Sequence, residues 1–449
     1  MKAFTLMDIA ESCGGEYIGD KSLLTECVTS VVIDSRLAEK GSLFVAIKGE
    51  RTDGHLYVNK AYELGAICAI SEQLLPVDHP YILVKSSTQA IKDIAEAYRK
   101  LFENIEVIGI TGSVGKTSTK EMIAAVLSQE YIVHKTQGNF NNELGVPLTL
   151  LAMPEDTEVA VVEMGINHFG EMTRLSKMVR PTICVLTNIG YCHLENLGDR
   201  DGVLKAKTEM FTYKEDDALI FVNGDDDKLI TVDEDKTTFG LSSSNDYYAE
   251  NIRNSGENSV SCTISCKGTK LDVTIPALGN YMAVNAAAAA AVGKALNMSD
   301  ENIIKGIAAY TTVGSRANLI TTEMIKIIDD CYNANPNSVK ASLETLCAMK
   351  GGRKVAVLGD MKELGVNEKQ LHAEVGEFAS KCGVDVLVTV GELAKYIGEN
   401  AKGIEVHHFD TVESAIEDID TILHKDDIVL VKASHSMHFE RIVECLKEL

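Results

Sequence analysis

The sequence predicts an α/β protein of three domains. A parallel sheet stands at its centre, antiparallel strands extend that sheet, and a second, doubly wound sheet follows. Three observations lead there. The 449 residues amount to about three units at roughly 150 residues per domain. Short β-branched runs alternate with helical patterns in the middle of the chain and again towards its end, as in parallel sheets with helices on both faces. Between these two regions, near 246–276, the pattern changes to DYYAENIR, SVSCTISC and KLDVTIP, which read as antiparallel strands.

Residues 1–104 mix short strands (SVVIDSR, SLFVAIKG, AICAI) with a helix from Val58 to Gly65 and another near 91–101, and read as a small α/β domain. Residues 105–313 open with VIGIT and continue through TSTKEMIAAVLSQ, YIVHKT, VAVVEMG, EMTRLSKMV, TICVLTN and ALIFVN, then the antiparallel strands and an Ala-rich helix around 286–291. Alanine favours the helix and permits close packing. Residues 314–449 repeat the alternation (IKIIDD, KVAVLGD, DVLVTVG, EVHHF, DIVLVKA) and predict a Rossmann-like doubly wound sheet. That sheet lacks G-x-G-x-x-G, so dinucleotide binding is not indicated.

The formal net charge of -23 disfavours nucleic acid and anionic membranes as partners. It does not disfavour a nucleotide, whose phosphates are held by local amides and a few cations. No stretch approaches the ~20 apolar residues of a membrane span, and Asp8 and Glu11 interrupt any leader-like core at the start. Eleven cysteines are scattered without a C-x-x-C pair, the pattern of reduced thiols. A cytoplasmic protein is expected.

The strongest local signal is Gly109–Ser118, GITGSVGKTS, between a strand and a helix. Glycines let backbone N–H groups approach phosphate oxygens, and the helix N-terminus adds unpaired donors. Gly112, Ser113, Val114, Gly115, Lys116, Thr117 and Ser118 are therefore expected to bind ATP, with Lys116 on the β/γ-phosphates and Thr117 on Mg²⁺. The general phosphate-loop pattern would put Gly at position 110, where this chain has Ile110.

Other polar groups stand at strand ends, where open α/β sheets bind ligands. They are the Asn-rich stretch Thr136–Asn142, Glu163 after VAVV, His193 after TICVLTN, and the clusters Asp329–Pro336 and Gly359–Gly365. Glu163 is placed to face the phosphate loop and hold a metal.

Taken in order, these pieces resemble the Mur ligase family, which builds the peptide of bacterial cell-wall precursors. The shared text is T-G-x-x-G-K-T at 111–117, T-x-x-N-x-N-N at 136–142, E-M-G at 163–165, N-I-x-x-x-H at 188–193 and A-K-x-E at 206–209. The family's own loop pattern accounts for Ile110. D-x-Y-N-A-N-P at 330–336, L-G-D-M-x-E-L-G at 358–365, D-S-R at 34–36 and D-G-H at 53–55 look like the branch whose amine acceptor is D-Ala-D-Ala.

The resemblance implies an ATP-dependent ligase that activates the terminal carboxylate of UDP-N-acetylmuramoyl-tripeptide as an acyl phosphate and couples it to D-Ala-D-Ala. It implies that Ser35, Arg36, Asp53, Gly54 and His55 bind the uridine-diphosphate part, and that Thr136, Asn139, Asn141 and Asn142 contact the muramoyl-peptide region. Asn285, Arg316 and Asp330 would serve ATP. Thr117, Glu163, His193 and a carbamylated Lys207 would hold Mg²⁺, with Lys116, Glu163, His193 and Lys207 as the catalytic set. A monomer is expected. With the loop in the middle domain and Arg316 and Asp330 in the last, the two have to approach.

Two places depart from the family's text. G-x-H-N-x-x-N becomes Gly279–Asn285 with Tyr281 and Met282 in place of His and Asn. K-G-S-R becomes Lys432-Ala433-Ser434-His435. These departures keep two alternatives open: a ligase of the family with another amine acceptor, and a non-catalytic nucleotide-binding relative.

Overall fold

Strands that are apolar on both faces have to be covered on both, and this requirement organises most of the chain. The computed structural model describes residues 1–449. Glu106–Thr111, Val159–Glu163 and Ile183–Leu186 are buried almost throughout. Alternate residues of these strands enter two different cores. Val107, Ala160, Val162, Cys184 and Leu186 face helices 145–151, 171–179 and 200–208. Ile108, Ile110, Val159, Val161, Ile183 and Val185 face helices 116–127, 282–295 and 300–308.

The middle sheet has nine strands. From one edge they run Thr269–Ile275, Val260–Cys266, Tyr247–Asn254, Thr237–Gly240, Leu219–Asn223, Ile183–Leu186, Glu106–Thr111, Val159–Glu163 and Val133–Lys135. Only the first two pairings are antiparallel. Thr237–Gly240 joins these added strands to the parallel core by parallel pairing on both sides.

The last sheet runs Asn318–Thr321, Lys326–Asp329, Ile428–Lys432, Lys354–Gly359, Val386–Val390, Glu405–Phe409. It is parallel except at the Asn318–Thr321 edge. Helices 336–348 and 368–382 cover one face, and 412–422 and 440–447 the other. The first sheet runs Glu16–Ile18, Tyr81–Leu83, Cys68–Ser71, Ser42–Val45, Ser30–Val32, and again only its first pairing is antiparallel.

Four short strands escape the sequence reading: Glu16–Ile18, Tyr81–Leu83, Thr237–Gly240 and Asn318–Thr321. Each has three or four residues, too few to display a period. The helix expected near 91–101 begins earlier, at Ser87, where Ser86 caps it by accepting a hydrogen bond from Gln89 N.

That helix ties the first sheet to the middle one. The Tyr98 hydroxyl donates to Met153 O at 2.8 Å. Arg99 is buried and donates to the carbonyls of Val179, Phe102 and Arg180, and burial pushes its guanidinium pKa down to about 10. No helix is long and apolar enough to cross a membrane.

The Ala-rich helix Met282–Ala295 has Ala286 to Ala291 fully buried, and beside it helix Asp300–Ala308 presses on the phosphate-loop helix Lys116–Leu127. There a Cβ at Gly306 would come within 2.3 Å of Val126 Cα. Backbone on both sides leaves no flexible group to yield. Gly306→Ala is therefore expected to destabilise the protein by about 1–3 kcal/mol, read as a lower denaturant midpoint with an unchanged slope.

Candidate functional site

The carboxyl ends of the middle and last sheets face each other across a cleft of about 690 Å³. From the middle unit it is lined by Ser113–Ser118, Asn141, Asn142, Glu163, His193 and Asn285. From the last it is lined by Arg316, Asp330, Tyr332, Asn337 and Lys432. The loop and the two residues expected to approach it therefore share one wall-to-wall space.

The loop's shape is fixed from outside. Gly112 has φ +154° and Gly115 φ +80°, and a Cβ at Gly112 would fall 1.9 Å from Thr187 Oγ1. Thr187 Oγ1 donates to Val114 O at 2.6 Å, Val114 N donates to Asn188 Oδ1 at 2.9 Å, and Ser113 N donates to Asn188 O at 3.0 Å. The strand end 187–188 thus holds the backbone in an anion-accepting curve. Lys116 Nζ donates to Gly112 O at 2.9 Å, folded across the loop's own mouth.

Glu163 is 1% exposed and still meets the cleft. Thr117 Oγ1 donates to its Oε2 at 2.9 Å and Asn141 Nδ2 to its Oε1 at 2.8 Å. No group of three or more His, Cys, Asp or Glu gathers there. A cation at this point would draw on the Thr117 hydroxyl, the Glu163 carboxylate and ligand phosphates, an all-oxygen set that fits Mg²⁺.

His193, in a left-handed turn at φ 51°, places Nδ1 at 2.5 Å from Glu363 Oε2 of the last unit. That contact holds the Glu363 carboxyl below its usual range. Asp330 accepts from Ser342 Oγ and Lys432 Nζ, both at 2.6 Å, and the Arg316 guanidinium lies 3.9 Å over the Tyr332 ring.

Three models of known families match in succession: "Mur ligase family, catalytic domain" over 28–112, "Mur ligase middle domain" over 110–293 and "Mur ligase, glutamate ligase domain" over 315–435. The UDP-N-acetylmuramoyl-tripeptide--D-alanyl-D-alanine ligase of Bacillus subtilis is 39% identical, with 99% of this chain and 98% of the relative covered. The chain belongs to the Mur ligase family. A crystal structure of MurF from Acinetobacter baumannii superposes at TM-score 0.89 with 30% identity and 100% of both chains covered. MurF ligase from Thermotoga maritima in complex with ADP superposes at 0.83 with 30% identity, covering 93% of this chain and 97% of that one.

Other residues singled out in the sequence of this Mur ligase lie away from the cleft. Thr136 is fully buried. Its hydroxyl accepts from Glu163 N at 3.0 Å and its carbonyl from Lys120 Nζ at 2.7 Å, so it braces Glu163 from behind. Asn139 is exposed and Gly112 is buried, and neither lines the cleft. Ser35 and Arg36 follow strand Ser30–Val32, and Asp53, Gly54 and His55 follow strand Ser42–Val45. Arg36 pairs with Asp34 at 2.6 Å. His55 Nδ1 is 2.6 Å from Asp53 Oδ1, while its Nε2 accepts from Glu72 N at 3.0 Å. Glu209, the last residue of A-K-x-E, accepts from Gly170 N, Thr173 N and Thr173 Oγ1 and so caps helix Glu171–Val179.

Thr187, Lys432 and Asn337 line the cleft, and the sequence reading gives them no role. Thr187 and Lys432 directly follow or end apolar strands, and that placement was the available signal. Where the chain departs from the family's text, Tyr281 lines the cleft and its phenol pKa is raised, by burial first and by Asp330 second. The His435 ring lies 5.7 Å from that of Tyr332.

Lys207 lies behind the cleft wall, 1% exposed. Burial, then the Lys116 charge, push its pKa down to about 8, with Cys192 acting the other way. A lowered folded pKa on a base means that the unfolded chain binds the extra proton between about pH 8 and 10.5, so stability rises with pH there. In CO₂-free buffer, Lys207→Met is expected to be the more stable protein at pH 7. Its advantage should shrink as the pH passes from 8 to 10. Urea unfolding at each pH measures this, and a constant gap would contradict it.

Proposed function

We propose that this chain is a cytoplasmic, ATP-dependent ligase that joins D-Ala-D-Ala to the terminal carboxylate of UDP-N-acetylmuramoyl-tripeptide in peptidoglycan precursor synthesis. The observation that carries the reading is the single cleft uniting the phosphate loop with Glu163, Asp330 and Arg316, in a chain aligned end to end with ligases named for that reaction. One chain supplies every wall of the cleft, so a monomer suffices.

The chemical problem is to bring a triphosphate and a carboxylate together against their repulsion. Backbone N–H groups of 113–117 and the helix N-terminus receive the phosphates. Lys116 leaves Gly112 O and turns to the β/γ-phosphates, placing positive charge where negative charge builds up during transfer. The γ-phosphoryl passes to the peptide carboxylate oxygen, ADP leaves, and the D-Ala-D-Ala amine attacks the acyl carbon. Phosphate departs, the amine gives up a proton, and an amide remains.

Mg²⁺ held by Thr117 and Glu163, and a second held by Glu163, His193 and a carbamylated Lys207, would supply charge neutralisation between the two anions when bound. Arg316 and Asp330 reach the nucleotide from the last unit, with Asn285 on the facing wall. Asn141 and Asn142 meet the muramoyl-peptide region. Ser35, Arg36, Asp53, Gly54 and His55 hold the uridine diphosphate at the first sheet, and Thr136 and Asn139 belong to the loop between.

Burial supports the carbamate. A neutral Lys207 amine can add to CO₂, forming an N–C bond and releasing one proton, and the resulting anion suits Mg²⁺ where an ammonium would be repelled. No carboxylate is among the groups acting on Lys207, so the amine is not already committed to an ion pair.

Two experiments test the reading. Phosphate release should require ATP, the muramoyl tripeptide and D-Ala-D-Ala together, and Lys116→Ala should lower it about 10²–10³-fold. Release supported by another amine alone would reassign the acceptor, and no release with any amine would leave a nucleotide-binding relative. Carbon-13 bicarbonate should give a carbamate resonance that is lost in Lys207→Ala and kept in Lys205→Ala. A Lys207→Ala enzyme of full activity would contradict the modification.

A further inference from the structure

Lys120 is fully buried on the phosphate-loop helix Lys116–Leu127. It stands three residues past Thr117, so both side chains share one helix face, the face towards the end of strand Val159–Glu163. An ammonium with no access to water needs anionic or carbonyl partners on every side. Lys120 Nζ finds three: Thr136 O at 2.7 Å, Glu121 Oε1 at 3.0 Å and Glu163 Oε2 at 3.8 Å. Lys135 pairs with the other oxygen of Glu121. With the half-buried Lys135, two lysines stand against the two buried carboxylates.

These contacts converge on Glu163. Its backbone N–H donates to Thr136 Oγ1, its Oε1 accepts from Asn141, its Oε2 accepts from Thr117, and Lys120 hydrogen-bonds the Thr136 carbonyl while its charge faces Oε2 as a longer ion pair. Lys116, the other cation of the loop, is turned away onto Gly112 O.

We propose that Lys120 is a positioning residue for the divalent-cation site. It locks the Glu163 carboxylate and the Thr136 backbone into the one arrangement that presents an oxygen to a cation beside Thr117. Lys120 touches neither nucleotide nor cation. This rests on the reading of Glu163 as a cation ligand.

Simple electrostatics and positioning predict opposite signs. Removing a buried positive charge close to Glu163 should tighten cation binding if charge alone matters. It should weaken binding if Lys120 holds the ligand in place, and outer-shell partners of metal ligands typically contribute about 10–100-fold in affinity.

The test is Mn²⁺ binding to the full chain with a non-hydrolysable ATP analogue, followed by the free-Mn²⁺ electron-paramagnetic signal. Lys120→Met is compared with Lys120→Met/Glu121→Gln, which removes the lysine together with its nearest counter-charge and so protects folding. Thermal unfolding confirms that each variant is folded. The expected result is a Kd for Mn²⁺ about 10–100-fold higher in the double variant, and likewise in the single variant where it folds.

An unchanged or tighter Kd in the folded double variant overturns the proposal. Glu163→Gln separates the two levels. If it leaves Mn²⁺ binding intact, the cation-ligand reading of Glu163 fails. If it weakens binding while the Lys120 variants do not, only the role of Lys120 fails.

Discussion

A carboxylate at the end of a fully apolar strand has to be compensated or abandoned, and the site is arranged around compensating Glu163. Thr117, Asn141, the Thr136 hydroxyl and Lys120 all reach it or its backbone. They come from the phosphate-loop helix and from the Asn-rich stretch that follows the next strand. Satisfying one buried anion therefore fixes where the loop helix stands relative to the strand. Buried polar networks cost heavily when part of them is missing, and this ties local geometry to the integrity of the middle sheet.

The second constraint is the backbone of the loop. Gly112 has room only for hydrogen, because Thr187 stands where a Cβ would be. The neighbouring strand end thus sets the curve of the loop. Contacts from the last unit complete the enclosure: His193 to Glu363 and Tyr191 N to Asn337 Oδ1 at 3.3 Å. Beside these polar contacts, Leu194 and Leu278 of the middle unit belong to the same buried apolar cluster as Leu343 and Leu364 of the last.

Most long elements were legible in the sequence because their periods are strong. VAVVE and TICVLTN announce strands, and EMTRLSKMV matches helix Glu171–Val179 residue for residue. Short edge strands such as Asn318–Thr321 were not, since four residues carry no period. Glycine-rich text and strand-end carboxylates marked the cleft, and Glu163 and Asp330 line it as their positions implied. What the text could not convey was which polar groups face inward. Thr136 and Asn139 belong to one motif, yet Thr136 turns into the core to serve Glu163 while Asn139 faces solvent. Lys120 reads as one more helix lysine, and its burial depends on Glu121, Thr136 and Glu163 meeting in space, which no local pattern encodes.

Oxygen tracing tests carboxylate activation by ATP in this cleft most directly. UDP-N-acetylmuramoyl-tripeptide labelled with oxygen-18 in its terminal carboxylate is turned over with ATP and D-Ala-D-Ala, and the released phosphate is analysed by mass. Transfer of the γ-phosphoryl to the carboxylate predicts one labelled oxygen in each phosphate formed. Phosphate carrying no label, with its new oxygen drawn from water, would contradict it.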